Sequence, residues 1–192
     1  MQTIKVTSLK QLKDIIKSSP VDADLNHLDV SKLVSMKELF KDSSFNGDIS
    51  EWNVSKVRNM DSIFEDSEFN GDISKWNTGN VTSAMSMFKG SKFNCDISEW
   101  NVSKVKKAYC MFYKSVFVGD LSKWRFKSLV LTRYMFSNSE FNGDISKWDI
   151  PKDTDTTDMF TNSKFEYDSF DGYKADVVVG KKLGTLRNLL KL

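Results

Sequence analysis

Apolar side chains recur along this chain in a fixed order, with polar residues held between them at constant spacing. In FNGDISEWNVSKVRNMDSIFEDSE, residues 45–68, Ile49, Trp52 and Val54 give apolar-x-x-apolar-x-apolar. The Trp52-x-Val54 part has the period of two that a short half-buried strand shows. Val57, Met60, Ile63 and Phe64 follow at i, i+3, i+6 and i+7, which predicts one face of a short helix. Ser67, Phe69, Asn70 and Gly71 supply a turn. The next 24 residues, FNGDISKWNTGNVTSAMSMFKGSK, repeat the whole pattern.

The repetition continues without insertion. Trp52, Trp76, Trp100, Trp124 and Trp148 stand 24 residues apart, and so do Phe45, Phe69, Phe93, Phe117, Phe141 and Phe165. The same step joins Phe40, Phe64, Phe88, Phe112, Phe136 and Phe160, and Asp24 through Asp168 extends it to a seventh unit. A fixed period of this length signals a solenoid, because no unit can bury its Trp and Phe alone while stacked units cover one another. The expected fold is an α/β solenoid, a leucine-rich-repeat-like right-handed stack of about six to seven 24-residue coils. Each coil should carry one short parallel strand and one short helical turn.

The ends read as caps of a single solenoid domain over residues 1–192: an N-terminal strand-helix cap at 1–20, repeats at 21–168 and a C-terminal cap at 169–192. TIKV, residues 3–6, is strand-like, and Ser8 is placed to N-cap a helix with Leu9, Leu12, Ile15 and Ile16 on one face. After Asp168 the pattern breaks, and VVV followed by LGTLRNLLKL predicts a strand and a closing helix. The open ends of a stack need such lids.

The motif ISxWNVSxVxxMxxMFxxSxFNGD resembles the BspA-like leucine-rich-repeat surface protein family, in its Trp-containing, mycoplasma-lipoprotein type. The resemblance covers about residues 21–170. It implies a leucine-rich-repeat-like solenoid with a parallel sheet on one face, and a role in adhesion or protein binding at a surface.

The chemistry in the chain is sparse. There is one histidine, His27, and no base lies in a pattern with a nucleophile or metal ligand, so an enzyme is not expected. Cys95 and Cys110 lack the paired spacing of zinc or redox sites and read as small apolar residues. The Asp column could suggest calcium, but one carboxylate per coil falls short of the six to eight oxygens that ion takes. Asx turns, in which each Asp accepts nearby backbone N–H groups, fit better, and no metal or cofactor is expected. No apolar run has the length of an export signal or a membrane span, which points to a cytoplasmic protein.

What remains is where the repeat is violated. In FVGDLSKWRFKSLVLTRYMFSNSE, residues 117–140, Val118, Arg125, Phe126, Val130 and Leu131 stand where other coils are mostly polar or smaller. Tyr109, Tyr113 and Val116 precede them. Residues 104–133 hold eight Lys or Arg against one acid, a net +7, whereas residues 149–176 carry a net −5. The candidate partner-binding residues are Tyr109, Tyr113, Lys123, Arg125, Phe126, Lys127, Val130, Leu131, Arg133 and Tyr134, because aromatic, Arg and aliphatic side chains at otherwise polar positions are the stuff of interface cores. The alternative is local repacking of that coil.

The expected function is a non-catalytic protein-binding module that engages an acidic protein partner. Alternatives are a small mobile-element protein that inhibits a host protein, a surface adhesin or structural component, and a polyanion binder, for which nucleic acid is disfavoured by the nearby acidic region.

Overall fold

The computed structural model describes residues 2–165. Strand β1 (Ile4–Lys5) pairs in parallel with β2 (Leu28–Asp29), Ile4 opposite Leu28. Between them lies helix α1 (Leu9–Ser18). Its N-cap Ser8 has extended backbone and its Oγ accepts the Gln11 N–H at 3.1 Å. Leu12 and Ile16 are buried, and Leu9 and Ile15 pack partly against the same core, so the apolar stripe covers the first coil. The strand and helix expected beyond Asp168 lie outside the described residues.

From residue 21 the chain runs in 24-residue coils, numbered one to six over 21–44, 45–68, 69–92, 93–116, 117–140 and 141–164. Parallel bridges join Ser35, Asn59, Ser83, Lys107, Leu131 and Asp155 in one line across all six. Beside that line Arg58 donates its N–H to Val34 O, Thr82 to Arg58 O, Lys106 to Thr82 O and Val130 to Lys106 O, each at 2.9 Å. The coils are therefore stacked in strict register, each displaced by one strand spacing, about 4.8 Å.

Two expected elements take a different form. Residues 57–64 are not helical, and the parallel bridge falls at Asn59 rather than at Trp52-x-Val54. Ile63 N–H closes a four-residue turn on Met60 O at 3.2 Å, and Ser67 closes the next on Phe64 O at 3.3 Å. The third residue of each turn is left-handed, Ser62 at φ 55° and Asp66 at φ 52°. That geometry turns alternate amides outward along the stack: the N–H groups of Met60, Ser62, Phe64 and Asp66 donate to Ser83, Met85, Met87 and Lys89 carbonyls of the next coil at 2.7–3.0 Å. A helix would satisfy those donors within its own segment. Here they serve as the bonds between coils.

The left-handed positions recur in every coil, from Glu38 and Asp42 to Asp158 and Asn162, and only Gly90 among them is glycine. An L-residue in this region costs about 1–2 kcal/mol, which the ladder sustains. Lys114 (φ 56°) occupies in coil four the place of Gly90 in coil three. Lys114→Gly keeps the N–H that donates to Ser137 O. It should raise stability by about 1 kcal/mol in a urea titration, with unchanged slope.

The core is a set of aromatic columns. The indoles of Trp52 and Trp76, of Trp76 and Trp100, and of Trp124 and Trp148 lie near-parallel with centroids 6.2–6.4 Å apart. Phe64, Phe88, Phe112 and Phe136 stack at 5.2–5.6 Å, and Phe69, Phe93 and Phe117 at 6.3–6.4 Å. Each indole also bonds across coils. Trp52, Trp76, Trp100, Trp124 and Trp148 donate Nε1–H to the carbonyls of Leu25, Ile49, Ile73, Ile97 and Leu121 at 2.8–3.1 Å. The tryptophan is thus both filler and tie, its one polar atom satisfied where burial demands it.

The Asp column sits in Asx turns. Asp48, Asp72, Asp96, Asp120 and Asp144 accept N–H bonds from Ser50, Ser74, Ser98, Ser122 and Ser146 at 2.8–2.9 Å. These bonds hold the carboxyls of Asp48, Asp72, Asp120 and Asp144 below the usual range. Among the described residues no helix is long and apolar enough to cross a membrane.

Candidate functional site

The off-pattern residues of coils four and five divide into three sets. The first belongs to the interior. Phe126 is fully buried, in the column that holds Val54, Thr78 and Val102 in other coils, and its ring meets Trp124 edge-on at 5.8 Å and Trp148 at 4.9 Å. It is withdrawn from the candidate face: a position that is apolar in most coils points inward, and the larger ring fills the space between two indoles.

The second set is exposed, and two of its three members are engaged by their own surroundings. Arg125 folds back, Nη1 donating to Ser122 O at 2.7 Å and Trp124 O at 2.8 Å. Lys123 pairs with Glu99 of the preceding coil. Lys127 is exposed.

The third set forms a cluster. The turn over residues 108–111 presents Tyr109, and the equivalent turn over 132–135 presents Arg133 and Tyr134. Because the stack keeps register, Arg133 takes the place of Tyr109 one coil on. The Tyr109 and Tyr134 rings meet edge-on with centroids 6.1 Å apart. The Arg133 guanidinium lies 5.5 Å from the Tyr134 ring centroid, with Nε 3.8 Å from Asp155 Oδ2. That Nε is buried and has no hydrogen-bond partner. Thr157 donates to Asp155 from its hydroxyl at 2.7 Å and its N–H at 3.1 Å, holding that carboxyl below its ordinary range with smaller help from Arg133.

Leu131 is half-buried on the bridge line between Lys107 and Asp155, and Val130 beside it is 59% exposed. Tyr113 is half-buried with Lys114 Nζ 5.4 Å from its ring centroid. It stands in a column of charges: Lys41, Glu65 and Lys89 precede it at the same position. Burial pushes the Glu65 carboxyl up, but Lys89 Nζ at 2.7 Å, Ser62 and Lys41 outweigh it and leave the group lowered. At Tyr113 the column changes from ion pairing to a ring.

Coils four and five therefore bring Tyr109, Leu131, Arg133, Tyr134 and Val130 together, with Lys106 and Lys107 exposed alongside. The last two were missed as site residues, although adding 24 to their numbers sets them beside Val130 and Leu131. Among the described residues no group of three or more His, Cys, Asp or Glu is placed to hold a metal ion. Cys110 is buried and Cys95 half-buried, and burial raises both thiols.

A family model described as "Mycoplasma protein of unknown function, DUF285" matches residues 7–116 and again residues 90–173. No curated protein and no solved structure matches the chain.

Proposed function

The chain belongs to this mycoplasma repeat family, DUF285, and from that premise we propose that it is a non-catalytic protein-binding module whose partner presents an acidic surface. What carries the reading is the Tyr109–Tyr134–Arg133 cluster. Two tyrosines, a guanidinium and two aliphatic side chains share one surface, at positions that in the other coils are mostly Lys, Asp, Ser or Thr. Aromatic and Arg side chains of this kind supply most of the energy in protein interfaces, and the lysines beside them steer an acidic partner.

The stack that presents them is read as a leucine-rich-repeat-like solenoid, with the right-handed winding of parallel crossover connections. The ISxWNVS motif favours the BspA-like type within that class.

The test is proximity crosslinking in the native host, comparing wild type with Tyr109→Ala/Arg133→Glu. A partner recovered with wild type should be lost with the variant, whose melting temperature should stay within about 3 °C. Undiminished recovery would overturn the reading, as would collapse of the variant's fold.

A further inference from the structure

Register brings together charges that the chain keeps far apart. The four-residue strip ending on the bridge line reads KLVS in coil one (residues 32–35), KVRN in coil two, NVTS in coil three, KVKK in coil four and SLVL in coil five. Over these five coils the strip holds Lys32, Lys56, Arg58, Lys104, Lys106 and Lys107 and no acid. All six are exposed. Among the described residues none of the six forms an ion pair with a carboxylate. Lys104 Nζ donates at 2.7 Å to Asn80 Oδ1, a neutral group that leaves its charge uncompensated.

The strip has shape and ends as well as charge. A groove of about 480 Å³ lies across coils one to three, lined by Val34, Lys56, Arg58 and Asn80. Val34 in coil one and Val130 in coil five are 61% and 59% exposed in the same column, with Arg58, Thr82 and Lys106 between them. Four coil spacings separate the two valines, roughly 19 Å, which matches about six residues of extended polypeptide.

We infer that this axial strip binds an extended acidic polypeptide segment whose apolar residues flank the acids, lying along the stack from Val34 to Val130. The charge selects the carboxylates, and the two exposed valines select side chains at either end. A phosphate backbone would leave those valines uncovered. Asn80, Thr82 and Ser83 keep the middle of the strip neutral, their side chains donating to Ser55 O, Arg58 O and Asp61 Oδ1, so no carboxylate interrupts the line of cations there. The inference rests on the reading of this surface as a partner face and extends it from the tyrosine cluster to coils one and two.

The probe is a fluorescein-labelled hexapeptide with four acidic residues between terminal valines, titrated with the full chain and followed by anisotropy. Wild type should bind it saturably, and affinity should fall steeply between low and physiological salt. Lys56→Glu/Arg58→Glu, distant from the tyrosines, should weaken binding about tenfold or more, and Lys104→Glu/Lys106→Glu should do likewise. Lys92→Glu/Lys147→Glu changes the charge equally on other columns and should stay within about threefold of wild type. Circular dichroism establishes that each variant is folded, and either strip variant suffices.

Equal loss in the control variant, no saturable peptide binding, or tighter binding of a twelve-nucleotide single-stranded DNA would each overturn the inference. If the native partner is lost with Tyr109→Ala/Arg133→Glu but retained with Lys56→Glu/Arg58→Glu, the strip fails while the cluster stands. The reverse result sinks the cluster alone.

Discussion

Trp100→Ala is expected to cost about 3–5 kcal/mol, measured as a drop in the midpoint of chemical unfolding. The indole is 5% exposed in a central coil, parallel to Trp76 at 6.4 Å and tilted against Phe88 at 6.1 Å. Truncation empties one level of a column whose neighbours are locked by backbone bonds above and below, so little collapse can fill the space. It also removes the Nε1–H donor and leaves the Ile73 carbonyl, which accepts it at 3.0 Å, short of that bond. Trp100→Phe keeps most of the apolar volume but not the donor, and should cost clearly less. Equal losses in the two variants would show that the bond, rather than the volume, dominates. A loss under about 1 kcal/mol for Trp100→Ala would contradict the buried column itself.

Phe126→Ala should follow at about 3–4 kcal/mol, and its value lies in contrast with Val130→Asp. The two side chains are four residues apart in the same off-pattern stretch, yet one is fully buried between Trp124 and Trp148 and the other is 59% exposed. Val130→Asp should therefore leave stability within about 0.5 kcal/mol. Thermal unfolding of the two variants side by side separates repacking from surface display. Equal destabilisation would mean that coil five is interior throughout.

Much of the fold was legible in the period alone. Five tryptophans on a 24-residue step demand stacked coils, because only a neighbour can cover each ring. The local conformation is hidden in the sequence for a physical reason. Successive four-residue turns place apolar residues at Met60, Ile63 and Phe64, and with Val57 three residues before Met60 the spacing imitates a helical face. The left-handed residues that distinguish turns from helix are Ser62, Asp66, Cys110 or Tyr134, and only Gly90 advertises the conformation by its chemistry.

The candidate site divided along similar lines. Tyr109, Arg133 and Tyr134 were readable as departures from the repeat. Phe126 reads as a surface departure from the repeat, although Val54, Val102 and Ile150 mark its column as apolar. The return of Arg125 to the carbonyls of Ser122 and Trp124 leaves no trace in residue spacing. The alignment of Lys56 and Arg58 with Lys104 and Lys106 could be found by adding 48, but Asn80 and Thr82 interrupt it and hide the line.

The uninterrupted register has a mechanical consequence. Every junction between the described coils carries the same carbonyl ladder and the same phenyl column, so tension applied to the two ends of the stack finds no single weakest seam in the middle. Chain should peel from an end, one winding at a time, each event freeing 24 residues, or roughly 80 Å of contour. A protein built this way yields to load in small repeated steps, and the windings still in place keep their shape while the outermost ones are drawn off.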